Sequence, residues 1–158
     1  MGQGRKYSLL EAKTKLEALC AYQERCSQEL QRKMNSWGID REDQDRLLAE
    51  LIADNFLSEE RFAEAYASGK MRIKRWGKRK IQLELKRKNI SDYSIRKGIE
   101  SLSDQEYRDN LIFLLEHKWN DLQKEKSDYI RRGKVYQFLA NKGYESELIN
   151  QELDRISE

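Results

Sequence analysis

The feature that most constrains the fold is an internal repeat with a period of roughly fifty residues. Gly38, Asn89 and Gly143 occupy equivalent places in three copies. Apolar residues stand four and eight positions before each of them, and again one, ten and thirteen positions after. They are Leu30, Met34, Ile39, Leu48 and Leu51; then Ile81, Leu85, Ile90, Ile99 and Leu102; then Val135, Leu139, Tyr144, Leu153 and Ile156. Because Gly and Asn adopt the left-handed backbone that ends many helices, each of the three predicts a helix terminus.

Helix starts are also visible in each copy. Ser8 with Glu11, and Ser103 with Glu106, have the S-x-x-E spacing in which both side chains bond free backbone N–H groups at a helix start. Ser58 is predicted to cap the first helix of the second copy, and Asp40 and Ser91 the last helices of the first two copies. Proline, which would break a helix, is absent from the chain. The pattern therefore predicts three helices in every copy.

The first helix of each copy carries an apolar stripe at helical spacing. The stripes consist of Leu9, Ala12, Leu16 and Leu19; Phe62, Ala65, Tyr66 and Ile73; and Tyr107, Leu111, Leu114 and Leu115. A unit of this size buries a small core, worth a few kcal/mol, so neighbouring units should lean on one another. We predict an all-α protein of three tandem three-helix repeats, spanning 1–57, 58–102 and 103–158, in an elongated or curved array. The charged content of 37% and the mean hydropathy of -0.97 agree with several thin cores.

The positive charge is concentrated in the middle repeat. Residues 1–57 hold 9 Lys and Arg against 10 Asp and Glu, residues 58–102 hold 13 against 6, and residues 103–158 hold 9 against 12. The net charges are therefore -1, +7 and -3. This asymmetry points to an anionic partner for the middle repeat and, because acidic repeats repel bare DNA, to a protein partner for the outer ones.

A dense basic stretch inside the middle repeat is the candidate binding site. The residues proposed to bind nucleic acid or a nucleoprotein filament are Lys70, Arg72, Lys74, Arg75, Lys78, Arg79, Lys80 and Lys86. Contacts from such side chains to phosphates are salt-sensitive and independent of base sequence. The alternative is a solvated pair of helices, supported by contacts of Glu84 with Lys80 and Lys88. Trp76 either belongs to the core, which we favour, or stacks on a base, and Gly77 beside it marks a turn.

Other classes of function lack their signatures. The single histidine, His117, has no partner suited to catalysis, and no glycine-rich phosphate loop occurs. Cys20 and Cys26 fit neither a disulfide framework nor a zinc site, which favours reduced thiols in a cytosolic protein. No long apolar run suggests a membrane span. We therefore expect a cytoplasmic monomer that is not an enzyme and needs no cofactor or metal.

Three segments of the chain together carry a family resemblance. The clearest runs from Phe56 to Ala63 and continues through the basic stretch to Trp76-Gly77, Ile81, Glu84-Leu85 and Asn89-Ile90. The others are Glu24 to Leu30 with Trp37-Gly38-Ile39, and Phe138 to Tyr144. In these segments the chain resembles the RecX regulators of the bacterial RecA recombinase. Ser58-Glu59-Glu60 stands where the family tends to have Asp-Asp, and Asn89 where it usually has Gly.

The resemblance implies a modulator, usually an inhibitor, that lies in the groove of a recombinase filament on single-stranded DNA. Such a protein reduces ATP hydrolysis, strand exchange and filament growth, and thereby regulates recombination and DNA repair. Two other functions remain open at this point. One is a nonspecific or helix-turn-helix-like DNA-binding protein without a recombinase partner, and the other is a helical scaffold that binds only protein.

Overall fold

The computed structural model describes residues 4–157, and within that range all of the regular secondary structure is helical, with no β-strand. Nine α-helices follow one another in these residues: α1 (Leu9–Tyr22), α2 (Ser27–Ser36), α3 (Arg41–Ala53), α4 (Glu59–Gly69), α5 (Lys78–Arg87), α6 (Asp92–Glu100), α7 (Asp104–Asp121), α8 (Asp128–Lys142) and α9 (Ser146–Ile156). A π-helical turn, Lys70–Lys74, continues α4. The all-α class with three-helix repeats is confirmed.

The predicted helix termini have the expected backbone conformations. Gly38, Asn89 and Gly143 have φ angles of 72°, 62° and 102°, which place all three in the left-handed region. The side chains of all five predicted caps accept a backbone N–H at a helix start: Ser8, Asp40, Ser58, Ser91 and Ser103. Ser8 and Glu11 form the full reciprocal box. At Ser103 only the serine half forms, and the Glu106 carboxylate contacts Arg72 instead.

Two hydrophobic cores lie along the chain. The first belongs to α1–α3 and contains Leu16, Leu30, Met34 and Leu51, among others. The second is shared by α4–α9, so the middle and last units are packed into one body. Gln44 occupies the place in the first core that Ile95 and Ile149 take in the second. Its buried amide is satisfied because it donates to the Ile39 carbonyl at 2.8 Å and to Asn35 Oδ1 at 2.6 Å.

The apolar stripe predicted for α4 is wrong at two positions. Ala65 is exposed, and the Ile73 side chain is 78% exposed. The π-helical turn inserts an extra residue per turn, which shifts the phase of the side chains that follow. Met71, 1% exposed, consequently enters the core in place of Ile73.

The first unit meets the second through a small set of contacts. Cys26 belongs to the second core although it precedes α2. Gln28 donates to the Arg87 carbonyl at 3.1 Å, and Arg61 Nε pairs with Glu24 Oε1 at 2.9 Å. The accessible surface of 10105 Å² exceeds the roughly 8,300 Å² expected for a compact protein of this mass. The additional accessible surface indicates an elongated molecule.

Both cysteines are buried free thiols. Burial raises the pKa of the Cys20 thiol and of the Cys26 thiol above their ordinary value.

Candidate nucleic-acid interface

The basic stretch forms a reversal of the chain between α4 and α5. The π-helical turn ends at Arg75, which adopts the left-handed conformation with φ of 53°. Its N–H and that of Trp76 both return to the Lys70 carbonyl. Gly77 then precedes the first residue of α5. The stretch therefore consists of one helix end, a tight turn and one helix start.

The start of α5 is capped by the third unit rather than by its own side chains. Gly77 N–H donates to the Lys142 carbonyl at 2.7 Å and Arg79 N–H to the Gly143 carbonyl at 2.9 Å. Lys78 N–H donates to the Tyr107 hydroxyl at 2.8 Å. Because α8 ends here, its carbonyls bring negative partial charge to the positive end of α5. The three cations in the first turn of α5 are thus tolerated without an acidic cap.

Two tyrosine hydroxyls stabilise the contact between the basic stretch and the third unit. Tyr107 donates its hydroxyl proton to Glu145, and Tyr144 donates to the Arg75 carbonyl at 2.8 Å. The two rings lie 5.2 Å apart between centroids. Burial raises the pKa of both phenols well above the ordinary value, and for Tyr107 the hydrogen bond to Glu145 raises it further. Both phenols therefore stay protonated and keep donating at neutral pH.

One side of the basic stretch faces α7. Arg72 Nε lies 3.4 Å from Glu106 Oε2, and Lys78 Nζ lies 3.9 Å from Asp104 Oδ1. The Arg75 guanidinium lies 4.0 Å from the Phe113 ring centroid, and among the described residues its buried Nε has no hydrogen-bond partner. These three cations contact the third unit, and two of them are paired with its acids.

The opposite side carries a pair of half-buried aromatic rings. Tyr66 and Trp76 meet edge to face with centroids 6.5 Å apart. Lys70 Nζ lies 4.9 Å from the Trp76 centroid and Lys80 Nζ lies 4.5 Å from it. Trp76 packs against the second core, as favoured from the sequence, but the same ring also holds two cations.

The remaining three predicted residues lie apart from both sides. Lys74 is exposed on the π-helical turn. Arg79 and Lys86 line a groove of about 520 Å³ between α5 and α6, where Lys86 lies 3.9 Å from Asp92. The structure thus brings the basic residues to one turn and one helix, but it distributes them over more than one surface.

Lys88 and the Tyr66 ring lie beside the lysines of the basic stretch and were not among the predicted site residues. Lys88 Nζ lies 5.6 Å from the Tyr66 ring centroid, and Lys70 Nζ lies 5.4 Å from the same centroid. Lys80, Glu84 and Lys88 follow one another at intervals of four residues, which places them along one face of α5 and its C-terminal cap. This spacing could have indicated Lys88 as a site residue. Glu84 itself pairs with Arg87 at 2.7 Å rather than with the lysines, which differs from the contacts expected.

Metal-binding clusters and membrane-spanning helices are absent from residues 4–157. In that range no group of three or more His, Cys, Asp and Glu side chains is placed to hold a metal ion. Nor does any helix within it have the length and apolar character that a membrane crossing requires. His117 is exposed, with its ring 4.1 Å from that of Phe113.

Family models, curated relatives and solved structures of RecX proteins resemble this chain. The second three-helix domain of RecX matches residues 58–99, and the third matches residues 104–153. The regulatory protein RecX of Chlorobium phaeobacteroides is 33% identical over 112 residues, which cover 71% of each chain. That of Clostridium perfringens is 29% identical over 130 residues, covering 82% of this chain and 60% of the relative.

A solved structure shares the fold. The crystal structure of RecX from Lactobacillus salivarius superposes with a TM-score of 0.83 at 21% identity, covering 94% of this chain and 96% of that one. The clostridial relatives are longer, since the chain spans only about 60% of the Clostridium perfringens protein. Two domain matches covering more than half of the chain, with a relative above 30% identity, establish that the chain belongs to the RecX family of regulatory proteins.

Proposed function

We propose that this chain binds a RecA-type recombinase filament on single-stranded DNA and reduces its ATP hydrolysis, strand exchange and growth. The observation that carries the proposal is the match of both later units to RecX domains, because those units contain the basic stretch and the residues that cap it. The middle unit, net +7, would face the DNA or an acidic surface of the filament. The outer units, net -1 and -3, would contact recombinase protomers.

The proposal includes the organisation of the chain and its setting. The three units would span 1–57, 58–102 and 103–158; residues 1–3 and 158 of the outer units lie outside the described residues. The chain would act as a monomer in the cytoplasm, by binding alone, without a cofactor and without catalysing a reaction. Its contribution to DNA repair and recombination would come through the recombinase.

The alternative is a DNA-binding protein that acts without a recombinase. Three-helix units with a basic helix can enter a major groove, usually with the amino-terminal residues of that helix on the base edges. In this chain the amino end of α5 is held against the α8–α9 turn by two hydrogen bonds and against Tyr107 of α7 by a third. That contact restricts the insertion of α5 and favours the filament over the duplex.

The test is the DNA-stimulated ATPase of the host recombinase, measured with increasing amounts of the chain. We expect the turnover rate to fall, and the chain to bind the recombinase filament more tightly than the same bare strand. A lysine-rich peptide of equal net charge serves as the control for sequestration of free DNA. An unchanged ATPase rate at saturating chain would refute the proposed function. Residual preference for one duplex sequence at raised salt would favour the alternative.

A further inference from the structure

Three lysines gather around the Tyr66–Trp76 ring pair although they come from different elements. Lys70 begins the π-helical turn, Lys80 lies in the first turn of α5 and Lys88 follows the end of α5. The Lys70 and Lys80 ammonium nitrogens share the Trp76 ring and are therefore less than 10 Å apart. Lys88 and Lys70 share the Tyr66 ring in the same way. The fold thus concentrates three positive charges on one aromatic pair.

These three lysines differ from Arg72, Lys78 and Lys86 in their partners. Within residues 4–157 none of the three has a carboxylate oxygen within 4.0 Å, whereas Arg72, Lys78 and Lys86 do. All three are half-buried, with their stems covered by protein. Burial, followed by the charge of the Glu84 carboxylate, raises the pKa of Tyr66, and Glu84 itself pairs with Arg87. Like charges held together without an ion pair of their own favour binding of an external anion.

We infer that Lys70, Lys80 and Lys88 form the phosphate-binding site for a nucleic-acid strand, while Arg72, Arg75 and Lys78 serve to hold the middle unit to the third. The inference rests on the proposed function, because the strand would be the DNA of the filament. A lysine ammonium is a point charge suited to single phosphate oxygens. The rings hold the ammonium groups in place beforehand, which lowers the entropy lost on binding.

The spacing of the lysines agrees with a phosphodiester backbone. One strand presents a charge about every 3.4 Å along its axis, so four consecutive phosphates cover roughly 10 Å, the upper limit on the distance between the Lys70 and Lys80 ammonium nitrogens. Nothing in the cluster reads base edges, and contacts of this kind carry no sequence information. The ligand is therefore a phosphodiester strand of any sequence, supplied by single-stranded or duplex nucleic acid.

The experiment is a fluorescence-anisotropy titration of a labelled dT oligonucleotide, and of a duplex of equal length, over a series of salt concentrations. The test variant combines Lys70→Gln, Lys80→Gln and Lys88→Gln. The matched control combines Lys118→Gln, Lys124→Gln and Lys126→Gln, which removes the same charge and includes one lysine that lies over a ring, Lys118 on Phe138. A further variant combines Arg72→Gln with Lys78→Gln.

We expect the test variant to lower the slope of log affinity against log salt by about 2 on the single strand, since each phosphate contact contributes about 0.7. Its affinity at low salt should fall by roughly tenfold or more, with an unchanged melting temperature. The control variant should lose less than half as much affinity. The Arg72 and Lys78 variant should lower the melting temperature more than it lowers the affinity. Comparison of the two oligonucleotides shows which strand form supplies the phosphates.

Several outcomes would overturn the inference. They are an unchanged affinity in a folded test variant, an equal loss in the control, a larger loss in the Arg72 and Lys78 variant, and no binding of either oligonucleotide by the wild-type chain. If the test variant does not fold, lysine acetylation of the wild-type chain replaces it. Bound dT oligonucleotide should then protect Lys70, Lys80 and Lys88 and leave Lys118, Lys124 and Lys126 reactive. Uniform reactivity would contradict the assignment.

This result is separate from that of the recombinase assay, because the oligonucleotides carry no recombinase. A chain that binds through the lysines but leaves the ATPase unchanged would refute the proposed function and retain the phosphate site. A chain that inhibits the ATPase fully with all three lysines replaced would refute the site and retain the function.

Discussion

Gly77 is required by its neighbours and not by its own backbone angles. Its φ of -78° is available to any residue. A Cβ atom at this position, however, would lie 2.2 Å from the Gly143 carbonyl carbon and 2.3 Å from the Tyr144 nitrogen. Backbone atoms held in a helix terminus cannot move aside as a flexible side chain would. The close approach of two chain segments therefore selects glycine here.

Replacement of Gly77 by alanine should consequently destabilise the fold. We expect the free energy of unfolding to fall by about 2 kcal/mol or more, in the range of overpacked sites, because α5 and the α8–α9 turn must separate. Chemical denaturation monitored by circular dichroism measures the change. Gly133→Ala is the control: nothing lies within 4 Å of its added Cβ, and alanine in α8 should raise stability by roughly 0.5 to 1 kcal/mol. Equal stability of the two variants would contradict this explanation.

At the scale of the element, the π-helical turn decides which side chains of the middle unit reach the core. Lys70–Lys74 follows α4 without a break, so the sequence reads as one continuous amphipathic helix. The extra residue in the turn rotates Met71 inward and Ile73 outward.

Alanine substitutions at Met71 and Ile73 test which of the two side chains faces the core. Met71→Ala should lower the free energy of unfolding by about 2 to 5 kcal/mol, because it leaves a cavity in the shared core. Ile73→Ala should change it by no more than about 0.5 kcal/mol, because the isoleucine is 78% exposed. Thermal and urea denaturation of both variants provide the measurement. A larger loss from Ile73→Ala would indicate that the helix continues as an ordinary α-helix.

The elements that could be predicted from the sequence are those fixed by local chemistry. The left-handed ends at Gly38, Asn89 and Gly143 and the serine and aspartate caps depend on residues within a few positions of one another. The π-helical turn and the rotation at Met71 depend on tertiary packing and leave no local signature; the Met71 carbonyl, for example, accepts from Asn110 Nδ2 of α7. The division of the cations into paired and unpaired ones also depends on residues distant in sequence, since Arg72 and Lys78 form ion pairs with acids of α7. Charge counting identified the basic unit, and Lys70 and Lys80 within it, but it could not show which of its cations meet acids.

On the scale of the whole molecule, the two cores should give the chain two levels of stability. The core of α1–α3 is separate, whereas α4–α9 share one core and are joined by backbone hydrogen bonds from Gly77 and Arg79 to the α8–α9 turn. Structures divided in this way open locally in contiguous cooperative units. The first unit is accordingly the one that can unfold while the others remain folded.

Hydrogen exchange followed by mass spectrometry tests this division. Leu16→Ala removes a fully buried side chain of the first core and should speed amide exchange in α1–α3 while leaving α7–α9 unchanged. Leu139→Ala, at an equally buried position of the second core, should speed exchange across α4–α9. Acceleration along the entire chain by Leu16→Ala would instead show a single cooperative structure.

The burial of the two native thiols makes this chain convenient for site-specific labelling. A maleimide reacts with an accessible thiolate, and both Cys20 and Cys26 are shielded from solvent and hold their protons more firmly than an ordinary cysteine. A cysteine introduced at exposed Ile73 would therefore be modified first, with the native pair left in place. A fluorophore there would sit near Lys70 and Lys74, and its energy transfer to a labelled strand would report in real time any binding and release of the proposed nucleic-acid partner.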